Sequence, residues 1–132
     1  PQLGCVNLVR RIENEVDFYD VNTIKVVMNQ QGDALYMSRQ PIPTLAKTGF
    51  SATQTYKQVC IIPFRRDVLL QYAQLPPTPL EKLESIDMLR LMEHGYRVRM
   101  VETQYNSQAV DTETDLARVA QLMVADPLVS QY

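Results

Sequence analysis

The chain has 132 residues, a mass of 15.2 kDa and a formal net charge of −2 at pH 7. This length fits one domain spanning residues 1–132, and a hydrophobic content of 45% is too high for a disordered chain. The near-neutral charge argues against a general nucleic-acid binder, which needs a basic face. Cys5 and Cys60 stand far apart without a neighbouring histidine, so we predict neither a disulfide framework nor a structural zinc site.

Two further observations concern location. No apolar run approaches the ~18 residues that a membrane span requires, and the first residues lack the charged-then-apolar layout of a secretory signal. We therefore expect a cytoplasmic protein without a membrane partner. The start at Pro1 fits either removal of an initiator methionine or a chain cut from a longer one.

The first predicted elements form a β-hairpin. Residues 23–29 are rich in β-branched side chains, residues 34–38 form a second apolar run, and a short polar loop with Gly32 separates them. Residues 40–54 contain prolines, a glycine and several hydroxyl side chains, which is typical of a long surface loop.

The middle of the chain predicts one strand and two helices. The continuous apolar run 59–62 is typical of a strand buried on both faces, and residues 66–74 have helical spacing. A second helix begins at Thr78, which is followed by Pro79 and Glu81 in a capping-box pattern. Its apolar positions repeat at helical spacing as far as Gly95.

The last elements are a strand and a helix. Residues 96–102 alternate in polarity as an edge or one-sided strand does. Thr112 and Asp115 cap a final helix, whose apolar face is formed by Leu116, Val119, Ala120 and Met123. The sum is an α/β pattern with mixed strand order.

Several polar residues are candidates for chemistry, each with a structural alternative. Asp111 precedes a helix and could hold Mg²⁺, or it could only stabilise the helix N-terminus. Arg39 follows a strand and could bind a carboxylate or phosphate, or could be solvated. Glu84 and Asp87 could receive sugar hydroxyls or share an exposed face with Arg90.

The remaining catalytic patterns are missing from the sequence. His94, the one histidine, is placed to cap a helix C-terminus. The sequence has no second histidine from which a Ser-His-Asp or Cys-His arrangement could be formed. The 4 glycines are scattered and do not form a phosphate-binding loop. We expect no complete active site in this chain alone.

The order and spacing of several motifs resemble one family over residues 22–123. These motifs are Ile24-Lys25-Val26-Val27, Gly32, Ala34–Arg39, Ile42-Pro43, Phe64-Arg65, Thr78–Glu81, Glu84, Leu89-Arg90, Glu93–Gly95, Val110–Thr112 and Asp115-Leu116. They resemble the 3-deoxy-manno-octulosonate cytidylyltransferase (CMP-Kdo synthetase) family. The resemblance implies the C-terminal part of a nucleotide-diphospho-sugar transferase-like α/β fold, with a mixed sheet and a β-hairpin dimerisation region.

The resemblance also implies an activity. The family joins CTP to the acidic sugar Kdo, with Mg²⁺, for lipopolysaccharide biosynthesis; the sugar's anomeric hydroxyl attacks the α-phosphorus and pyrophosphate leaves. The family's CTP-binding loop and another Mg²⁺ aspartate precede the matched region. This chain therefore resembles the sugar-binding and dimerising half, inactive alone. The alternative is a stand-alone module that only binds a ligand or dimerises.

Site residues follow from the same resemblance. Asp111 corresponds to a Mg²⁺ carboxylate and Arg39 to a residue that contacts the sugar acid. Sugar-binding positions of the family fall at Gln58, Ile62 and the pair Asp87-Met88, where the family usually has His, Tyr and Glu-Gln. These departures indicate an altered ulosonic acid, such as an amino-substituted one.

The resemblance and the strand pattern together predict a homodimer. The apolar strand 59–62 would be uncovered without the missing half, and exposed apolar patches favour association. The hairpin 23–38 is the expected interface, because the family dimerises through the corresponding region.

Overall fold

The computed structural model describes residues 2–45, 49–50, 55–105, 107–110 and 112–131. In chain order its elements are β1 (Leu3–Arg11), α1 (Glu15–Tyr19), β2 (Lys25–Met28), β3 (Ala34–Ser38), β4 (Tyr56–Val59), α2 (Arg66–Tyr72), α3 (Pro79–Glu84), α4 (Met88–Glu93), β5 (Arg97–Glu102), α5 (Glu113–Val124) and a 3₁₀ turn (Val129–Gln131). These confirm the mixed α/β class.

The five strands form one mixed sheet in the order β3-β2-β4-β1-β5. Only the β1–β5 pair is parallel among these strands, and the other neighbours are antiparallel. The predicted hairpin is confirmed as β2 and β3, and the predicted edge strand is confirmed as β5. Gly32 has φ 81° in the hairpin turn, a conformation that favours glycine.

The hairpin turn contacts the far edge of the sheet. The Gly32 carbonyl accepts a 2.8 Å hydrogen bond from the Met100 amide of β5. The buried Asp33 carboxylate accepts from Arg99 Nε at 2.6 Å and forms an ion pair with Arg97 Nη1 at 3.4 Å. The hydrogen bond from Arg99, with its positive charge, lowers the pKa of Asp33. The hairpin is thus fixed to β5 at its tip.

One core joins the sheet to helices α3 and α4. Its buried members are Cys5, Val9, Val26, Met37, Ile86, Met88, Leu89, Leu91, Val98 and Met100. Burial of a leucine side chain contributes about 1.5–3 kcal/mol, so Leu89 and Leu91 anchor α4 to the sheet.

Two elements of the fold, β1 and α1, were not predicted from the sequence. β1 holds the centre of the sheet, between β4 and β5, and buries Cys5, Asn7 and Val9 on alternate positions. Its alternation is interrupted by Gly4 and by a polar residue at the buried position 7, so it lacks the clean apolar pattern of a strand.

The predicted strand 59–62 is wrong. The strand runs from Tyr56 to Val59, whereas Cys60 and Ile61 are exposed. The Ile61 amide donates to the Val59 carbonyl at 2.7 Å, and this tight turn ends the regular ladder. The chain still follows β1, since Leu8 and Val6 donate to the Ile61 and Pro63 carbonyls at 3.1 Å each. An apolar run was therefore mistaken for a fully buried strand.

The predicted helix from Thr78 to Gly95 is two helices. Its start is confirmed, because the Thr78 amide donates to Glu81 Oε2 at 3.1 Å. The helix is interrupted at Ser85, which has φ 54° in the left-handed region, and α4 begins at Met88. Gly95 ends α4 with φ 81°, and the ring of His94 bonds the Pro76 carbonyl at 3.2 Å. His94 is the C-cap residue of α4, as predicted, with its backbone amide bonded to the Arg90 carbonyl, while its ring contacts the segment before α3.

The final helix is confirmed with its capping box but not with a buried face. The Asp115 amide donates to Thr112 Oγ1 at 3.1 Å, and the Thr112 amide donates to Asp115 Oδ2 at 3.0 Å. No residue of α5 whose side chain is described is buried. Leu116, Leu122 and Met123 are each more than half exposed. The amphipathic pattern predicts an apolar face, yet nothing in the described part of the chain covers it.

Within the described ranges, no helix has the length and apolar character to span a membrane.

Candidate functional site

A cavity of about 350 Å³ lies between the end of α1, β4 and the start of α5. Four segments supply its walls: residues 17–24, residues 57–61, residues 107–109, and Asp115 with Arg118 on α5. This volume is within the range of small-molecule sites. The cavity is therefore the candidate ligand site of this chain.

Charged side chains of both signs line this cavity. Lys57 Nζ forms an ion pair with Asp17 Oδ2 at 3.1 Å, so these two charges offset each other. Asp115 is engaged in the α5 capping box. Arg118 is exposed and makes no hydrogen bond or ion pair within the described ranges. Its guanidinium is thus available to an anion, and a carboxylate fits it in a bidentate geometry.

A smaller cavity of about 130 Å³ adjoins the first and shares Asp17, Lys57, Gln108 and Arg118 with it. Arg10, which lines it, donates from Nη2 to Glu13 Oε1 at 2.7 Å and from Nη1 to the Gln104 carbonyl. Most basic side chains of this second cavity are thus paired. Arg118 differs from them because it makes no ion pair within the described ranges.

Gln58 is the one predicted sugar-binding residue that lines the larger cavity. It lies on β4 opposite Val9 of β1, so both side chains point to the same face of the sheet. Its Nε2 donates to Oδ1 of the fully buried Asn7 at 2.6 Å. Asn7 thus supports the Gln58 side chain through a contact that the sequence patterns do not indicate.

Two other predicted sugar-binding residues, Met88 and Ile62, belong to the hydrophobic core and do not line the cavity. Met88 is buried, and its Sδ accepts from the Cys5 thiol at 3.7 Å. Burial raises the pKa of that thiol to about 11, so Cys5 is a neutral packing residue at neutral pH. Ile62 is half-buried against the core. Cys5 and Asn7 both face inward on β1, so Met88 and Gln58 contact neighbouring positions of one strand, roughly 7 Å apart.

Asp87 is exposed at the start of α4, and its carbonyl accepts from the Tyr72 hydroxyl at 3.4 Å. Its carboxylate has no hydrogen bond or ion pair within the described ranges. Asp87 does not line the cavity that contains Gln58. Asp87 and Gln58, both predicted to bind the sugar, therefore do not line the same cavity in this chain.

Arg39 holds the end of α3 in place. Its Nε donates to the Glu84 carbonyl at 2.8 Å and its Nη2 to the Ser85 carbonyl at 3.2 Å, while Nη1 reaches the Val21 carbonyl at 3.1 Å. These bonds satisfy carbonyls that a helix C-terminus leaves unpaired. Two of the five guanidinium N–H groups remain for another acceptor.

The Glu84 carboxylate is also used within the protein. It accepts from Ser38 Oγ at 2.7 Å, from the Arg39 amide at 3.0 Å and from the Tyr36 hydroxyl at 3.1 Å. Burial opposes the charged form, but the three hydrogen bonds outweigh it and lower the pKa of Glu84. The alternative of Glu84 as a sugar ligand is therefore not supported by these contacts.

A buried lysine completes this cluster. Lys25 is fully buried, and its Nζ donates to the carbonyls of Asp20 (2.8 Å), Thr23 (2.6 Å) and Arg39. Desolvation lowers the pKa of Lys25. These bonds fix the segment 20–24, which forms one wall of the larger cavity.

A complete metal site does not occur in the described ranges, where no three carboxylate, thiol or imidazole side chains come together. The predicted ligand Asp111 lies outside the described residues. Asp17 and Asp115, which line the cavity, are already paired or engaged in a helix cap. These side chains do not form a Mg²⁺ site by themselves.

Four residues at or next to the cavity were not among the predicted candidates: Asn7, Lys57, Asp17 and Arg118. Arg118 follows Asp115 at helical spacing, so its place near the α5 N-terminus was predictable. Asn7 and Asp17 reach the site through pairings with β4, which lies some forty to fifty residues away. No local pattern reveals such contacts.

Known proteins are similar to this chain in sequence and in fold. A family model described as cytidylyltransferase matches residues 2–122. The 3-deoxy-manno-octulosonate cytidylyltransferase of Solibacter usitatus is 45% identical over 97% of this chain and 50% of its own length. That of Geobacter metallireducens is 42% identical over 86% of this chain and 48% of its own.

A solved structure agrees with the sequence matches. CMP:2-keto-3-deoxy-manno-octonic acid synthetase complexed with CTP superposes with a TM-score of 0.83 and is 37% identical, covering 93% of this chain and 50% of the other. The chain spans about half the length of the curated relatives it matches. The match of the family model over most of the chain shows that this protein belongs to the cytidylyltransferase family.

Proposed function

We propose that this chain forms the sugar-acid-binding half of a cytidylyltransferase that makes CMP-Kdo, or a related CMP-ulosonic acid, from CTP and the free sugar acid. The observation that carries this proposal is the 350 Å³ cavity with Gln58 in its wall and Arg118 at its side. An amide and a free guanidinium complement the hydroxyls and the carboxylate of such a sugar.

The surface of the chain supports the proposal that it is one half of an enzyme. Its accessible area is 8917 Å², whereas a compact monomer of this mass exposes about 7,100 Å². The excess of about 1,800 Å² on this one chain exceeds the ~800 Å² that a standard interface buries on each partner and is of the size of one side of an obligate interface. The exposed apolar face of α5 contributes to it. The occupant that we propose for this face is the half of the relatives' length that this chain does not match.

In the complete enzyme, the nucleotide would bind mainly to that other half. The family resemblance assigns Arg39, Gln58, Ile62 and the pair Asp87-Met88 to the sugar; of these residues, Gln58 lines the cavity and the others lie outside its wall. Asp111 would give one carboxylate to Mg²⁺, whose chemistry is to neutralise the charge of the reacting phosphates. Since CTP is a cytoplasmic metabolite, the reaction would take place in the cytoplasm and serve lipopolysaccharide synthesis.

The proposal is tested by measuring CMP-sugar formation from CTP and Kdo. We expect no product with this chain alone. We expect turnover when the unmatched half of the Solibacter usitatus relative is fused to it, because the fusion restores the nucleotide site. The same fusion carrying Arg118→Ala should bind Kdo more weakly, since it loses the free cation. Product formed by this chain alone would contradict the proposal and favour a complete catalytic unit.

A further inference from the structure

Asn7 is a polar residue at a buried position of the central strand, where an apolar residue is usual. It lies in the middle of β1, faces the core between Cys5 and Val9, and is 0% exposed. A buried amide is costly unless its hydrogen bonds are satisfied. The hydrogen bonds of Asn7 therefore indicate how it orients the neighbouring side chains.

The orientation of the Asn7 amide is fixed by its partners. Its Nδ2 lies 2.8 Å from the Val59 carbonyl oxygen and 2.9 Å from the Leu8 carbonyl oxygen. A carbonyl oxygen can only accept, so the nitrogen of the amide must point to both. Its Oδ1 therefore points to Gln58, and the 2.6 Å contact requires Gln58 Nε2 as the donor.

The orientation of Gln58 follows from that of Asn7. With Nε2 held toward β1, the carbonyl Oε1 of Gln58 makes no hydrogen bond within the described part of the chain, and Gln58 is one of the residues that line the 350 Å³ cavity. A glutamine that is free to rotate offers either a donor or an acceptor, whereas a fixed one offers a defined pattern.

We propose that Asn7 is a positioning residue that fixes the Gln58 amide so that its Oε1 accepts a hydrogen bond from a hydroxyl or ammonium group of the ligand. The identity of that ligand as a sugar acid rests on the proposed function; the orientation of the amide does not. A site that presents an unpaired acceptor discriminates strongly against a ligand without the matching donor.

The orientation is tested directly by NMR on the ¹⁵N,¹³C-labelled chain. We expect a scalar coupling across the hydrogen bond between Gln58 Nε2 and Asn7 Cγ. Asn7→Leu, which has a similar shape, should abolish the coupling and speed solvent exchange of the Gln58 amide protons. Asn7→Ala removes the same acceptor with a smaller side chain, so it should likewise abolish the coupling, and it provides a second variant if Asn7→Leu does not fold.

A matched control separates positioning from packing. Val9→Ala lies on the same strand and face with the same burial, so it weakens the core but should leave the Gln58–Asn7 coupling intact. A lack of coupling in the unmodified chain, or Gln58 amide signals unchanged by Asn7→Leu, would overturn the inference.

The ligand part is tested by titrating the same chain with Kdo. Asn7→Leu and Gln58→Leu should each weaken binding by about tenfold, the loss of one hydrogen bond, and the double variant should be no weaker than either. Additive losses would show that Asn7 does not act through Gln58. If the coupling is present but Kdo does not bind the unmodified chain, the sugar-acid assignment fails while the positioning role stands.

Discussion

At the scale of single residues, the chain uses its charged groups first to hold its own backbone. Arg39 and Lys25 donate to carbonyls of the segments 20–24 and 84–85, and Glu84 accepts three hydrogen bonds from the end of β3. These contacts fix one wall of the cavity and the end of α3 together. Mutations here are expected to act on the site through the fold.

The first prediction concerns Glu84→Gln. The amide replaces one acceptor oxygen by a donor that faces Ser38, Tyr36 or the Arg39 amide, so we expect a loss of about 1–3 kcal/mol in the free energy of unfolding at pH 7. Urea denaturation measures this loss. Glu113→Gln, on the exposed first turn of α5, is the control and should cost about 0.3–1 kcal/mol.

The Glu84 effect should depend on pH in a defined direction. Its folded-state pKa is lowered below the unfolded value of about 4.3, so the carboxylate stabilises the fold fully above that value. The stabilisation is lost as the pH falls through the folded pKa. The gap between the two proteins should therefore shrink toward pH 3, and an equal gap at pH 7 and pH 3 would contradict the assigned contacts.

The second prediction concerns Asp111→Asn in the fusion with the relative's half. If Asp111 binds Mg²⁺, the variant should abolish CMP-sugar formation and leave the melting temperature nearly unchanged, because Asn keeps the shape and removes the charge that the metal needs. A variant that remains active would remove the metal role and leave Asp111 as a residue at the α5 N-terminus.

At the scale of elements, the break between α3 and α4 determines where two of the predicted sugar-binding residues lie. Ser85 adopts φ 54°, and Arg39 holds the carbonyls on either side of the break. The break places Asp87 at the exposed start of α4 and Met88 in the core.

The third prediction is that Ser85→Gly stabilises the protein. A non-glycine residue in the left-handed region carries a cost of roughly 1–2 kcal/mol, part of which glycine loses again through the entropy of the unfolded chain. We expect a net gain of about 0.5–1 kcal/mol by urea denaturation. Ser107→Gly, at an exposed position without a positive φ, should give no gain. Equal effects of the two changes would contradict the strain at Ser85.

The elements also show which predictions a sequence supports. The two helix starts at Thr78 and Thr112 were predicted correctly because a cap and its partner lie three residues apart. β1 was missed because its evidence is pairing with β4 and β5, which lie far away in sequence. Strand 59–62 was misplaced because apolar content does not reveal the tight turn at Cys60.

The site was less predictable than the fold. Gln58 was found through family resemblance, whereas its support Asn7 has no local signature, since a buried asparagine looks in sequence like any surface one. The exposed face of α5 was also unpredictable. Helical periodicity indicates that a face is apolar, but not whether this chain contains its cover.

At the scale of the whole molecule, two surfaces compete as interfaces. One is the apolar face of α5, with Leu116 58% exposed; the other is the hairpin 23–38, with Leu35 60% exposed on β3. We assign the first to the unmatched half of the relatives and the second to a homodimer. Both assignments are proposals. Self-association of the chain alone and of the fused enzyme distinguishes them, because the fusion covers α5 but not the hairpin.

The last prediction is that this chain self-associates at high micromolar concentration, through the hairpin and partly through α5. In sedimentation velocity, Leu35→Lys should shift the distribution toward monomer, because a charge at the centre of an apolar contact must be desolvated. Leu116→Lys should lower association of the chain alone but leave the dimer of the fused enzyme intact, since α5 is then covered from within. Lys82→Ala, on the exposed side of α3, is the control and should change neither. A compact monomer at that concentration would contradict self-association through the hairpin and through α5, and a fused enzyme that Leu35→Lys leaves dimeric would rule out the hairpin.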